Sequence, residues 1–392
     1  MKKNNYLSIE EHSLEELIKL LSEKVTSSDL PFADDIVQQV PFYKGSNVLQ
    51  LILSDDTGEQ LRALQSEWHW VWSSGPGILV FKNAFDNLEL LDSVTNSFKT
   101  IIDEEKQAGK SAGDHFAKPG ANDRIWNALE KLCLHSPELF AKYYANPILA
   151  KAAEAWLGPN YQITSQVNSV NPGGEAQVAH RDYHLGFMTT EQAVNYPQHI
   201  HQLSSLLTLQ CAVAHVEMPL ESGPTLYLPH SQKYSRGYLL ADFAPFHEFF
   251  AEHRVQLPLE KGDLVMFNPA LLHAAGSNKS KDIKRLANLL QISSAFGRAM
   301  ESVDRLRMCK ALYPELRAIT QKGGLSQIEL DSVLVACAEG YAFPTNLDRD
   351  PPVGGLAPPS QQDILRMAID DNLSVTELSK ALDNHDWRRK TN

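Results

Sequence analysis

Five strand-length runs, apolar or alternating, fall between residues 161 and 295 with turn-forming residues between them, and this pattern constrains the fold more than any other feature. Residues 161–170 alternate, 206–216 form a longer apolar run, and Thr225-Leu226-Tyr227-Leu228 is bounded by Pro224 and Pro229. Gly262-Asp263 then opens Leu264-Val265-Met266-Phe267, and residues 286–295 make one more long strand. Short strands in this succession point to a β-sandwich or jelly roll.

Helical periodicity frames that region. Ser13 with Glu16 three residues later has the spacing of a capping box, and Leu14, Leu17, Ile18, Leu20 and Leu21 supply an apolar stripe behind it. Further helical patterns cover about 58–71, 87–106, 123–133 and 147–157, broken by the β-like run Gly77-Ile78-Leu79-Val80-Phe81. Residues 1–160 therefore read as a mainly helical part packed on one side of a core at 161–298. Helices return at 299–320 and 326–338, within an extension over 299–345. A Pro/Gly-rich linker follows at 346–360, with Asp350-Pro351-Pro352 and Pro358-Pro359. Helical patterns at 361–371 and 374–383 make a small tail over 361–392. The fold class expected is α+β, a jelly-roll core flanked by α-helices.

Composition limits the function classes. The hydrophobic share of 43% is ample for a buried core. Cys133, Cys211, Cys309 and Cys337 are scattered without a CxxC pair, so no zinc knuckle or disulfide framework is suggested, and a reducing cytoplasm is expected. Met1-Lys2-Lys3 leads into Ser8-Ile9-Glu10-Glu11 rather than an apolar segment, so no secretory signal is read, and no run has the length of a membrane span. A net charge of -12 argues against nucleic acid as the main partner.

The chemistry concentrates inside the β region. On an extended strand residues i and i+2 share a face, so His180 and Asp182 can reach one metal while Arg181 points away. A bare His-x-Asp is a weak pattern. Its surroundings strengthen it: Asn171-Pro172-Gly173-Gly174 makes a turn before it, His273 follows the strand at 264–267, and Arg285 heads the last strand. Two histidines and one carboxylate can occupy one face of an octahedral Fe(II) and leave the opposite positions open.

These residues resemble the phytanoyl-CoA dioxygenase family of Fe(II)/2-oxoglutarate oxygenases. The matching pieces run in order: Pro172-Gly173, His180-x-Asp182, Gly223-Pro224-Thr225, Pro229-His230-Ser231, Gly262-Asp263, His273-x-x-Gly276-x-Asn278 and Arg285. They span about 161–298. The resemblance implies that His180, Asp182 and His273 bind Fe(II), and that Arg285 binds the distal carboxylate of the co-substrate 2-oxoglutarate. A planar guanidinium makes the two-point contact with a carboxylate that lysine cannot reproduce. It also implies a reaction that consumes O2, releases succinate and CO2, and hydroxylates or desaturates a small-molecule substrate. Related halogenases lack the carboxylate that Asp182 supplies, so halogenation is disfavoured.

Two departures accompany the match. Arg285 lies twelve positions after His273, one more than the family's usual spacing, an insertion that loop 277–284 can absorb. Ala275 replaces a serine that often helps to hold the co-substrate. Thr208, Gln210 and Asn168 are candidates to supplement Arg285, with a structural role as the alternative for each. His184 reads as a pocket group rather than a ligand, and His199, His201, His215 and His230 as structural. Arg124 with Trp126, and Arg298, are candidates to meet a substrate or to serve the surface and core. Two other readings stand beside the leading one: a non-catalytic jelly-roll binding protein, and a cupin-like metalloenzyme that does not use 2-oxoglutarate.

Overall fold

A computed structural model of the chain describes residues 5–8, 10, 13–109, 120–182, 188–239 and 243–391. Its strands, in chain order, are β1 (Asp35–Val37), β2 (Val40–Lys44), β3 (Ile78–Lys82), β4 (Asn122–Ile125), β5 (Gln162–Val170) and β6 (Thr208–Ala214). They continue with β7 (Leu226–Tyr227), β8 (Val255–Gln256), β9 (Leu264–Phe267), β10 (His273–Ala274) and β11 (Arg285–Ser293). Eight of them form a large sheet in the order β1-β2-β3-β9-β6-β11-β5-β4, and three form a small sheet in the order β10-β7-β8. This is the α+β jelly-roll arrangement expected, with the small sheet facing part of the large one.

The continuous apolar runs are explained by burial on both faces of the large sheet. In β3, Leu79 and Phe81 enter the main core beneath the helices, whereas Ile78 and Val80 enter a second core between the sheets. In β9, Leu264 and Met266 take the first side, Val265 and Phe267 the second. Successive side chains point to opposite faces, so one short run serves two cores.

The part before residue 161 supplies four strands of the large sheet as well as helices. At 123–133 a helix was expected, but Asn122–Ile125 pairs antiparallel with Val167–Val170 as β4. Asn127, in the left-handed region at φ 51°, then turns the chain into the helix Ala128–His135. Pairing with an open sheet edge outweighs the local helical pattern there. At 206–216 the apolar run conceals a switch, because the helix Gln198–Leu206 ends just before β6 begins.

The helices Leu88–Gln107, Ala128–His135, Pro137–Tyr144 and Pro147–Leu157 cover the outer face of the large sheet. The helices Arg305–Gln321, Gln327–Cys337, Gln361–Asp370 and Val375–Arg389 extend the same layer. Leu365, Ala368, Leu378 and Leu382 from the last two join the main core cluster. The Tyr313 hydroxyl reaches the carbonyls of Ala368 at 2.8 Å and Leu373 at 2.7 Å. Each leucine buried there contributes about 1.5–3 kcal/mol.

Candidate metal centre

Residues 173–182 run antiparallel to 269–278 and so add an extended segment to the edge of the small sheet. Gly173 N–H donates to Asn278 O, Gln177 N–H to Ala275 O, and His180 and His273 exchange both backbone bonds, at 2.9 and 3.0 Å. Asp182 N–H closes the run on Pro269 O. The pairing places the first histidine directly beside the one that follows it about ninety residues later.

The two imidazoles are oriented in the same way. Nδ1–H of His180 donates to Val178 O at 2.8 Å, and Nδ1–H of His273 to Leu271 O at 2.8 Å. Carbonyls only accept, so each ring keeps its proton on Nδ1 and turns the Nε2 lone pair inward. His180 Nε2 lies 3.8 Å from Asp182 Oδ1, and His273 Nε2 lies 3.5 Å from Asp182 Oδ2. One donor atom from each residue lies within 4.8 Å of the other two.

Electrostatics suit a cation. Burial pushes His180 below its usual range, with the neighbouring His273 adding to the effect. Burial works to raise Asp182, but the two imidazoles that face it and the Gln210 amide that donates to it together hold it well below the usual carboxylate range. Neutral imidazole and ionised carboxylate are the forms that bind metal. Arg181 turns to the other side, where its guanidinium donates to Tyr234 O at 2.9 Å and to Ser231 O and lies 4.8 Å over the Tyr238 ring.

The triad opens into a cavity of about 740 Å³ between the two sheets. Arg285 projects into it from the start of β11. It is 7% exposed, and its Nη1 reaches only backbone oxygens, Ser222 O at 3.3 Å and Gly276 O at 3.2 Å. Burial lowers the guanidinium to about 10, with the Tyr227 hydroxyl opposing the shift. No carboxylate among the described residues pairs with it. A buried guanidinium without a counter-ion is costly, and a ligand carboxylate is the group that offsets the cost.

Of the expected helpers, Asn168 and Gln210 line the cavity, and Thr208 does not. Thr208 stands at the first position of β6, one pleat beyond Gln210, and its carbonyl accepts the indole N–H of Trp156 at 3.0 Å. Gln210 uses its Nε2 on Asp182 Oδ2, so its contact is with the carboxylate of the candidate metal triad. Tyr227, which the sequence alone did not single out, lines the cavity opposite His273 in the β7–β10 register. That register depends on a long-range pairing with no local signal. Ala275, Arg124 and Trp126 also line the cavity.

His184 lies outside the described residues. His199 and Arg298 are exposed and lie outside the cavity lining. His201 is buried and stacks on Tyr238 with ring centroids 5.4 Å apart. His230 sits beside Lys233, and burial with that charge lowers it to about 4. His215 lies beneath the large sheet, among the helices, hydrogen-bonded to Thr95 and Tyr143.

A jelly roll holding a two-histidine, one-carboxylate set with Nε2 and Oδ atoms turned to one point defines the class of mononuclear non-haem iron proteins. The family model of phytanoyl-CoA dioxygenase matches residues 74–286, and the chain belongs to that family of Fe(II)- and 2-oxoglutarate-dependent oxygenases. The donor set and the unpaired Arg285 fit Fe(II) and 2-oxoglutarate. Among curated relatives, dioxygenase trt7 of Aspergillus terreus is 22% identical over 213 residues, covering 53% of this chain and 67% of that protein. Dioxygenase af480 of Aspergillus fumigatus is 26% identical over 191 residues, covering 46% of this chain and 53% of that protein. The chain thus spans about half to two thirds of the curated relatives it matches. Among solved structures, the non-haem α-ketoglutarate-dependent carbocyclase SnoK is 17% identical with a TM-score of 0.44, covering 62% of this chain and 85% of that one. EctD from S. alaskensis is 17% identical with a TM-score of 0.43, covering 62% and 79%.

Proposed function

We propose that the protein is a 2-oxoglutarate-dependent dioxygenase that hydroxylates a small organic molecule, an organic acid, a lipid-like compound or a specialised metabolite. Arg285 carries this reading: a buried guanidinium with backbone acceptors but no carboxylate partner, set in the same cavity as the triad. A binding protein or a metalloenzyme working without 2-oxoglutarate has no use for a cation in that place.

In this reading His180, Asp182 and His273 hold Fe(II), which with 2-oxoglutarate and O2 supplies an oxidation that leaves succinate and CO2. Arg285 takes the distal carboxylate of 2-oxoglutarate, with Tyr227 beside it on β7. Asn168 faces the co-substrate space from β5, and Gln210 orients Asp182. Asp182 keeps a protein carboxylate on the metal, which favours hydroxylation over halogenation. Val178, Met188, Met218, Leu259, Leu289 and Met300 give the cavity an apolar wall suited to an organic substrate. All four cysteines are free and buried, which fits a reducing compartment such as the cytoplasm. No helix among the described residues is long and apolar enough to cross a membrane.

Anaerobic reconstitution with Fe(II) and 2-oxoglutarate tests the proposal. The expected outcome is a weak visible charge-transfer band and thermal stabilisation that depends on 2-oxoglutarate. Absence of both would overturn it.

A further inference from the structure

The face that the large sheet turns to the cavity changes character from strand to strand. Gln291 on β11 stands opposite Gln210 on β6, and Gln166 on β5 stands opposite Leu289, the neighbouring cavity-facing residue of β11. Direct and diagonal neighbours on one face lie within side-chain reach, so the three carboxamides form one patch across three strands. Toward Arg285 the same face carries Ala212, Ala214 and Ala287, whose small side chains leave room beside that guanidinium. Under the function proposed above, that room belongs to 2-oxoglutarate, and the glutamines extend away from it toward β5.

Gln210 is spent on Asp182. The other two amides are not spent in this way. Gln166 is only 4% exposed, its Nε2 meets the Met300 thioether at 3.7 Å, and no donor among the described residues reaches its Oε1. Gln291, half-buried, makes no side-chain hydrogen bond to any described residue. A thioether is a weak acceptor, and a buried amide without partners costs about 1–3 kcal/mol, which a ligand group can offset. The charged groups of the lining are engaged elsewhere: Asp182 with the two histidines, Arg181 on backbone carbonyls, and Arg124 over the Trp126 ring with Glu301 nearby. What the patch offers is neutral, with donors and acceptors side by side.

We propose that Gln166 and Gln291 are specificity residues that bind a neutral substrate group able both to donate and to accept a hydrogen bond, an alcohol hydroxyl or a primary carboxamide, on an apolar body. One glutamine oxygen accepts the proton of that group while an N–H of the other donates to its oxygen. Met188, Leu289 and Met300 supply the apolar surroundings. Gln291 is one strand interval, about 4.8 Å, from Gln210, whose amide touches Asp182, so oxidation falls within a few bonds of the recognised group. The inference rests on the 2-oxoglutarate reading and adds the substrate class.

The test uses the Fe(II)- and 2-oxoglutarate-loaded protein and a panel of ω-phenylalkanols and ω-phenylalkanamides. Each is set beside its methyl ether or N,N-dimethylamide, which keep the acceptor and lose the donor, and beside the carboxylate of the same body. Perturbation of the visible band under anaerobic conditions and stimulation of succinate formation in air are the readouts. Alcohols or primary amides are expected to act where their capped and anionic counterparts do not, and the series that saturates at lower concentration identifies the group. Gln166→Met and Gln291→Leu should each raise the half-saturating concentration roughly 5- to 50-fold, and Gln291→Asn should restore part of the loss. The 2-oxoglutarate band, retained in these variants, shows that the site is intact. Equal action of the capped compounds or carboxylates, an inert panel, a preference that survives both substitutions, or loss of the band in both variants overturns the inference. If the wild-type band never forms, the function reading itself fails; a band without the preference removes only the substrate class.

Discussion

The Gln210 carboxamide donates to Asp182 Oδ2, the carboxylate oxygen that also faces His273 Nε2. β6 thereby holds one candidate metal ligand from the large sheet, while the small sheet and the segment paired to its edge supply the backbone of all three. Groups that orient a ligand carboxylate typically change metal affinity 10- to 100-fold when removed. Gln210→Ala should weaken Fe(II) binding by about 10-fold or more while leaving the far-ultraviolet spectrum unchanged. Anaerobic Fe(II) titration measures it, and unaltered affinity would remove Gln210 from the site.

Asp182→Ala removes the only carboxylate of the triad. Succinate formation should fall to background, and the charge-transfer band should be lost with it. Turnover at the wild-type rate would sink the ligand assignment.

Arg285 offers a test with two opposite signs. Arg285→Met exchanges a buried, unpaired guanidinium for an apolar chain, so the ligand-free protein should be as stable as the parent or more so. Its stabilisation by 2-oxoglutarate should disappear, since a charge-assisted contact is worth about 1.5–3 kcal/mol. Melting curves with and without 2-oxoglutarate separate the two effects. Undiminished stabilisation would place the co-substrate elsewhere.

Acid stability should depend on His215. Asn288 Nδ2 donates to the Tyr143 hydroxyl, which donates to His215 Nε2, and His215 Nδ1–H donates to Thr95 Oγ1, whose proton goes to Leu91 O. The chain has no place for a second imidazole proton. Burial, reinforced by the charge of Lys261, lowers His215 from 6.5 to about 3. The unfolded chain therefore takes up this proton first as pH falls. Stability present above pH 6.5 drains away between 6.5 and about 3, by a total on the order of 4 kcal/mol. In urea unfolding at a series of pH values, His215→Gln should show a shallower loss over that window, His230 accounting for part of the slope that remains.

The C-terminal helices belong to the core. Leu382 is fully buried in the main cluster, so Leu382→Ala should cost about 2–5 kcal/mol and lower the single unfolding transition of the whole chain. A separate low-temperature transition, with the main one unmoved, would show the tail to be an independent unit.

Much of the candidate site is legible in the chain because its signals are local or ordered. The His180-x-Asp182 spacing, the turn before it and the strand after His273 each follow from neighbouring residues. The helices Leu88–Gln107, with its apolar stripe, and Gln327–Cys337, opened by its Ser326/Glu329 capping box, fall within two residues of their expected limits. Residues 123–125 are different: their helical pattern gave way to the edge of β5, a partner about forty residues distant. Thr208 and Gln210 share a strand face, yet only Gln210 reaches the cavity, because the cavity ends between them.

Residue types and short spacings thus specified the candidate metal donors, the arginine proposed for the co-substrate and the alternation of strands, since these depend on side-chain chemistry and on the two-residue period of extended backbone. Folding in three dimensions specified what depends on register between distant strands. It put Gln210 on Asp182, Tyr227 beside Arg285, and Arg124 on the cavity face of the outermost strand. Hydrogen bonds between strands far apart in the chain set those neighbours, and no local pattern encodes them.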